Sequence, residues 1–82
     1  MPRYYFHLED HPSDPDPEGT ELVDVNAARR EAMRYAAELL RTLEADHFVQ
    51  HGPVLIRVTD ENEQKIAVIE IRDRLASAGK EQ

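Results

Sequence analysis

From Asp24 to Ala45 the apolar residues Val25, Ala28, Ala32, Tyr35, Ala36, Leu39, Leu40 and Leu43 recur at spacings of three and four. That period is helical, and it gathers these side chains into a single stripe. A helix with one apolar stripe needs an apolar layer to lie on. In a chain of 82 residues the two flanking segments are left to supply it. The expected fold class is therefore α+β, one helix covering one face of a small sheet in a single domain over residues 1–74, with 75–82 as a polar tail.

The flanking segments have the period of strands. In RYYFHL, Arg3 to Leu8, the residues Tyr4, Phe6 and Leu8 fall on one face and Tyr5 and His7 on the other. Thr20 to Val23 allows a second short strand. Val54 to Asp60 and Lys65 to Arg72 are β-branched runs separated by ENEQ, which reads as a hairpin. A four-residue loop there sets Val58 opposite Ala67, Ile56 opposite Ile69 and Val54 opposite Ile71, a register that makes one face continuously apolar. The order β-β-α-β-β, with every neighbour antiparallel, predicts the spatial order 2-1-3-4. The expected core joins Ala32, Ala36, Leu39 and Leu43 to Tyr4, Phe6, Leu8, Ile56, Val58, Ile69 and Ile71. Asp24 or Asn26 caps the helix start, Pro53 bars its continuation, and Asp73 to Gln82 suggests a helical turn followed by a frayed tail.

Charge is distributed unevenly. Seven acids (Glu9, Asp10, Asp14, Asp16, Glu18, Glu21, Asp24) fall within sixteen residues that contain no Lys or Arg, and the rest of the chain balances ten acids against ten bases. The net charge of −7 argues against general affinity for nucleic acid or an anionic membrane. The segment EDHPSDPDPEG, Glu9 to Gly19, is too rich in proline for regular structure and reads as a solvated acidic loop. Arg29 and Arg30 stand in the first turns of the helix, where positive charge opposes the dipole, so at least one of them is expected near Asp14–Glu18.

Site chemistry is scarce. No cysteine is present, which removes disulfides, thiolate catalysis and cysteine-ligated zinc. The acids of the loop lack the spacing and the glycine of a calcium-binding EF-hand. His7 and His11, and again His47 and His51, lie four apart, yet the first pair leaves a strand and the second a helix end, so no metal is expected. No nucleophile elbow, phosphate-binding glycine loop or dinucleotide fingerprint occurs. Neither an enzyme nor a cofactor is the expected reading. No apolar run approaches the length of a membrane span and no signal peptide is evident, which makes the cytoplasm the expected location.

The residues also resemble a known group. Pro2 to Leu8, Glu18 to Leu22, Asp24 to Ala32 and Val58 to Asp60 are similar to a family of short bacterial proteins that share a PRYFFHL-type opening, an E-G-x-E-L segment, an A-R-x-E-A helix and a V-T-D hairpin. That family is a domain of unknown function, so the resemblance supports the architecture and implies no catalytic residue, cofactor or substrate. Its members often carry glycine in the second hairpin turn, where this chain has Glu63.

With the helix on one face, Tyr5, Leu55, Ile66 and Val68 are expected on the other, as an apolar patch that marks an interaction surface. The leading expectation is a non-enzymatic, self-associating interaction module, a homodimer through this face or through sheet edges. The alternative is an acidic, antitoxin-like regulator that offers the loop to a basic protein partner. A nucleic-acid-binding sheet comes third, because Tyr5 and His7 could stack bases but few basic residues surround them.

Overall fold

The computed structural model describes residues 1–10 and 13–76. Six elements follow in order: β1 (Arg3–Glu9), β2 (Thr20–Glu21), α1 (Val25–Thr42), α2 (His47–His51), β3 (Val54–Thr59) and β4 (Lys65–Ile71). The sheet is antiparallel throughout with spatial order β2-β1-β3-β4, as expected. The predicted hairpin register also holds at all three pairs, Val58 with Ala67, Ile56 with Ile69 and Val54 with Ile71.

The core is centred on β1 and β3. Tyr4, Phe6, Leu8, Val54, Ile56 and Val58 are buried beneath Ala28, Ala32 and Ala36 of α1. Here the expectation is corrected. The alanines make the closest seat on the sheet, because a methyl group lets the helix backbone come near, whereas Leu39, Leu43, Ile69 and Ile71 pack around that seat only partly buried. Val25 and Leu40, counted in the sequence stripe, lie at its margin and are exposed.

Asp24 settles the start of α1. Its carboxylate accepts a hydrogen bond from the Ala27 amide at 2.8 Å, satisfying one of the donors that a helix start leaves free. The helix ends at Thr42 rather than Ala45, and a second short helix, absent from the sequence reading, occupies His47–His51. Gly52 closes it at φ 79° with its amide donating to the Phe48 carbonyl at 2.9 Å, and Pro53 starts the return to the sheet. No helical turn forms in residues 73–76. The rest of the expected tail, 77–82, lies outside the described residues, as does His11.

The turn between β3 and β4 is organised by an aspartate. One carboxylate oxygen of Asp60 accepts from the Asn62 and Gln64 amides at 2.8 and 2.9 Å. Glu63 takes φ 64° there, and the ladder shifts register beside Val58 and Thr59. A turn followed by one left-handed residue and a bulge is a common hairpin solution, normally with glycine at that residue.

Candidate functional site

The face of the sheet away from α1 is formed by alternate residues of three strands. Pairing sets Tyr5 beside Thr59, His7 beside Arg57 and then Val68, and Glu9 beside Leu55 and then Glu70. The expected patch of Tyr5, Leu55, Ile66 and Val68 is thus interrupted. Leu55 stands between two carboxylates, and Val68, 42% exposed, stands beside Arg57. Ile66 falls at the bulge and packs against the core cluster. Tyr5 instead lies beside His7, two residues along the same strand, with ring centroids 6.3 Å apart and planes within 7°.

The arginines of this face are held by acids. Arg57 donates to Glu9 at 2.6 Å and Arg72 to Glu70 at 3.0 Å. A polynucleotide would have to displace both acids to reach these cations, since each phosphate contact needs an available cation.

The acidic loop is not simply solvated, which corrects the sequence reading. From Asp14 to Asp16 it runs back along β1 and substitutes for a strand where β2 is too short to pair. Leu8 and Asp14 exchange backbone hydrogen bonds at 2.8 and 3.0 Å. Asp16 then turns inward. One carboxylate oxygen accepts from the Phe6 amide at 3.1 Å, and the other accepts from the Glu18 and Gly19 amides at 3.1 and 3.0 Å. Partial burial pushes the Asp16 carboxyl up, but the amides of Gly19, Phe6 and Glu18, with His7 nearby, outweigh it and hold the carboxyl below its ordinary value. Tyr35 of α1 lies against this loop. Burial, followed by the charges of Asp14 and Asp16, raises its phenol above the usual range.

Gly19 makes the return to β2 possible. Its φ is +71°, and a Cβ there would sit 2.8 Å from a Tyr5 ring carbon, and 2.9 Å from both the Arg3 side chain and the Tyr4 carbonyl. Both the backbone conformation and the space demand glycine.

His7 is fixed from both sides. The Asp16 amide donates to Nδ1 at 3.1 Å, so Nδ1 is an acceptor, and in the neutral ring Nε2 carries the proton and donates to Thr59 Oγ1, also at 3.1 Å. A histidine in this tautomer gives Thr59 no base, because the nitrogen facing the hydroxyl already carries the proton. Thr59 is also buried, at 3% exposure. The pair therefore orients a ring and does not prepare a nucleophile.

Around the Tyr5–His7 floor lies a cleft of about 430 Å³, walled by Pro15 and Asp16 on the loop side and by Asp60, Glu61 and Glu63 of the β3–β4 turn on the other, with Thr59 and the Glu9-paired Arg57 also lining it. The sequence reading missed this cleft. Its signal was the acid content of DENE, which becomes a wall only once the loop and the turn are seen at the same end of the sheet. No group of three or more His, Asp or Glu side chains with the arrangement of metal ligands occurs among the described residues. His47 donates from Nε2 to the Asp10 carboxylate at 2.8 Å and lies 5.0 Å, ring to ring, from His51, tying α2 to the end of β1.

The expected meeting of Arg29 or Arg30 with the acidic loop does not occur. Both arginines line a groove with Met33 and Ile69 of β4, whereas the loop lies against Tyr35. On a helix these two sets of positions point to opposite sides. The loop borders β1 and the arginines border β4, with the width of the sheet between them.

The chain has the architecture of a small α+β domain with a helix-covered antiparallel sheet, and no helix among its described residues is long and apolar enough to cross a membrane. It belongs to the family described as Domain of unknown function (DUF6894), whose sequence profile matches residues 3–72. No curated protein and no solved structure matches the chain.

Proposed function

We propose that this domain is a non-enzymatic protein-interaction module of the bacterial cytoplasm that holds a basic segment of a partner protein on the open face of its sheet. The observation that carries this reading is the cleft, in which an ordered Tyr5–His7 floor meets a wall of Asp60, Glu61 and Glu63. A lysine or arginine entering there gains the carboxylates at the rim and an aromatic face beneath. Such a partner would be a basic protein restrained by an acidic regulator. The test is titration with a short lysine-rich peptide, followed by fluorescence anisotropy at rising salt. Binding that weakens with salt and is lost in Glu61→Lys/Glu63→Lys supports the cleft. Undiminished binding in that variant refutes it.

Self-association is the second reading, favoured by the exposed Val68 on the outer strand of the sheet. A two-fold contact would use the same surface twice. Light scattering separates the readings. A dimer that dissociates in Val68→Glu supports the face contact, and a wild-type protein that stays monomeric at high concentration removes it.

A further inference from the structure

Arg29 and Arg30 occupy the first turns of α1, where the dipole disfavours positive charge and no acid is present in the first turn. The other arginines of the helix each hold a carboxylate, Arg34 with Glu31 and Arg41 with Glu38. Arg29 reaches only the Asn26 amide oxygen, at 3.3 Å. Among the described residues neither Arg29 nor Arg30 forms an ion pair. In a chain of net charge −7 this is a matter of placement, since acids are in surplus elsewhere.

These arginines line a groove of about 640 Å³ between α1 and β4, floored by Ile69 and flanked by Met33, which is 57% exposed. The groove adjoins the last strand of the sheet. β4 pairs only with β3, so among the described residues its outer backbone groups have no strand partner. An exposed edge of seven residues is a template for another strand. Natural sheets commonly blunt such an edge with charge or cover it, and here the positive charge stands over one side of the edge.

We propose that the β4 edge and this groove together dock an extended acidic segment of a partner protein. The segment adds a strand to the sheet, and its alternate carboxylates reach up to Arg29 and Arg30. Backbone hydrogen bonds to β4 supply affinity, and the arginines with Met33 and Ile69 select which side chains are accepted. Charge decides against the β4 strand of a second copy as the occupant. Pairing β4 with its own two-fold mate, both helices on one face, would crowd two sets of unpaired arginines into one groove. An acidic strand removes that repulsion and a basic one adds to it.

The test uses the intact chain and a labelled peptide of about eight residues alternating Glu and Val, long enough to span a typical strand. It should bind in a salt-sensitive way, and the outward amides of Lys65–Ile71 should gain protection from hydrogen exchange. Replacing both arginines, as Arg29→Gln/Arg30→Gln, should weaken binding by about tenfold or more, with the helical circular dichroism unchanged. The cleft variant Glu61→Lys/Glu63→Lys should still bind, which separates this site from the one on the open face. Failure to bind at millimolar peptide overturns the proposal, as does equal binding by the double glutamine variant. Equal binding of a peptide with proline at alternate positions, which cannot add as a strand, overturns it too. So does protection of the outward β4 amides before peptide is added, which would show a second copy already seated there.

Discussion

The two edges of this sheet are finished in opposite ways. On the β1 side, β2 pairs with only Arg3 and Tyr4, and the chain completes the edge with a proline-stiffened loop. Leu8 is paired by Asp14 and Phe6 by the Asp16 carboxylate, so a side chain does what a strand backbone would otherwise do. On the β4 side no described residue performs that task, and the neighbouring helix surface carries arginines without carboxylate partners. The covered edge belongs to the stability of the monomer, whereas the open one leaves hydrogen-bonding capacity available for a partner. Acid is therefore not one property of this protein. In Asp16 it is a structural acceptor, and in Glu61 and Glu63 it faces the solvent.

The largest way to break this contrast is at Gly19. A methyl group there meets three neighbours at under 3 Å with the backbone already left-handed. Gly19→Ala should cost about 2–4 kcal/mol, combining strain at positive φ with overpacking. Urea unfolding measures it, and a cost below about 0.5 kcal/mol would mean that the loop can shift freely. A smaller effect is expected from Asp16→Asn, which turns one hydrogen-bond acceptor toward the Phe6 amide into a donor and should cost about 1–3 kcal/mol. Because the folded Asp16 carboxyl is held below its ordinary value, the stability it confers is present above the unfolded pKa of about 4 and is lost as the pH falls through the lower folded value. Wild type should therefore lose stability in acid more steeply than Asp16→Asn. Exchange of the Phe6 amide should speed up in the variant while β4 stays unchanged. Parallel acid curves would remove Asp16 from this role. The smallest effect belongs to the turn that leads into the open edge. Glu63→Gly relieves a left-handed glutamate and should stabilise by about 0.5–1 kcal/mol, the one substitution of the three that raises the midpoint of unfolding.

The parts of the fold legible in the sequence were those fixed by periodicity. The stripe from Ala28 to Leu43 located the helix, and the alternation in Val54–Thr59 and Lys65–Ile71 set the hairpin register, because a one-residue slip would have exposed Ile56 and Ile69 together. The strand order needed one premise more, that every neighbour is antiparallel, and the sheet has that arrangement. The open face was half legible. Tyr5, Leu55 and Val68 could be placed on it, but the charged residues that separate them are cross-strand neighbours, visible only when the register is read across all three strands. The hold of Asp16 on Phe6 has no periodic signature, since it joins a loop carboxylate to an amide ten residues earlier. Arg29 and Arg30 were misplaced for a simpler reason. Charge suggested the acidic loop, but the helical angle had already turned them toward β4.

The central position of β1 bears on how the chain is made. Tyr5 pairs with Thr59, a partner about fifty residues downstream, so β1 leaves the ribosome seconds before β3 at the usual pace of synthesis. Meanwhile an aromatic strand, YYFHL, would be presented unpaired, the kind of segment that seeds aggregation. The loop that follows is the first chain to emerge after it, and its bonds to Leu8 and Phe6 need only nearby residues. The same bonds that finish this edge are therefore the ones whose partners are all present before β3, and they would leave only the β3 side of the nascent strand open.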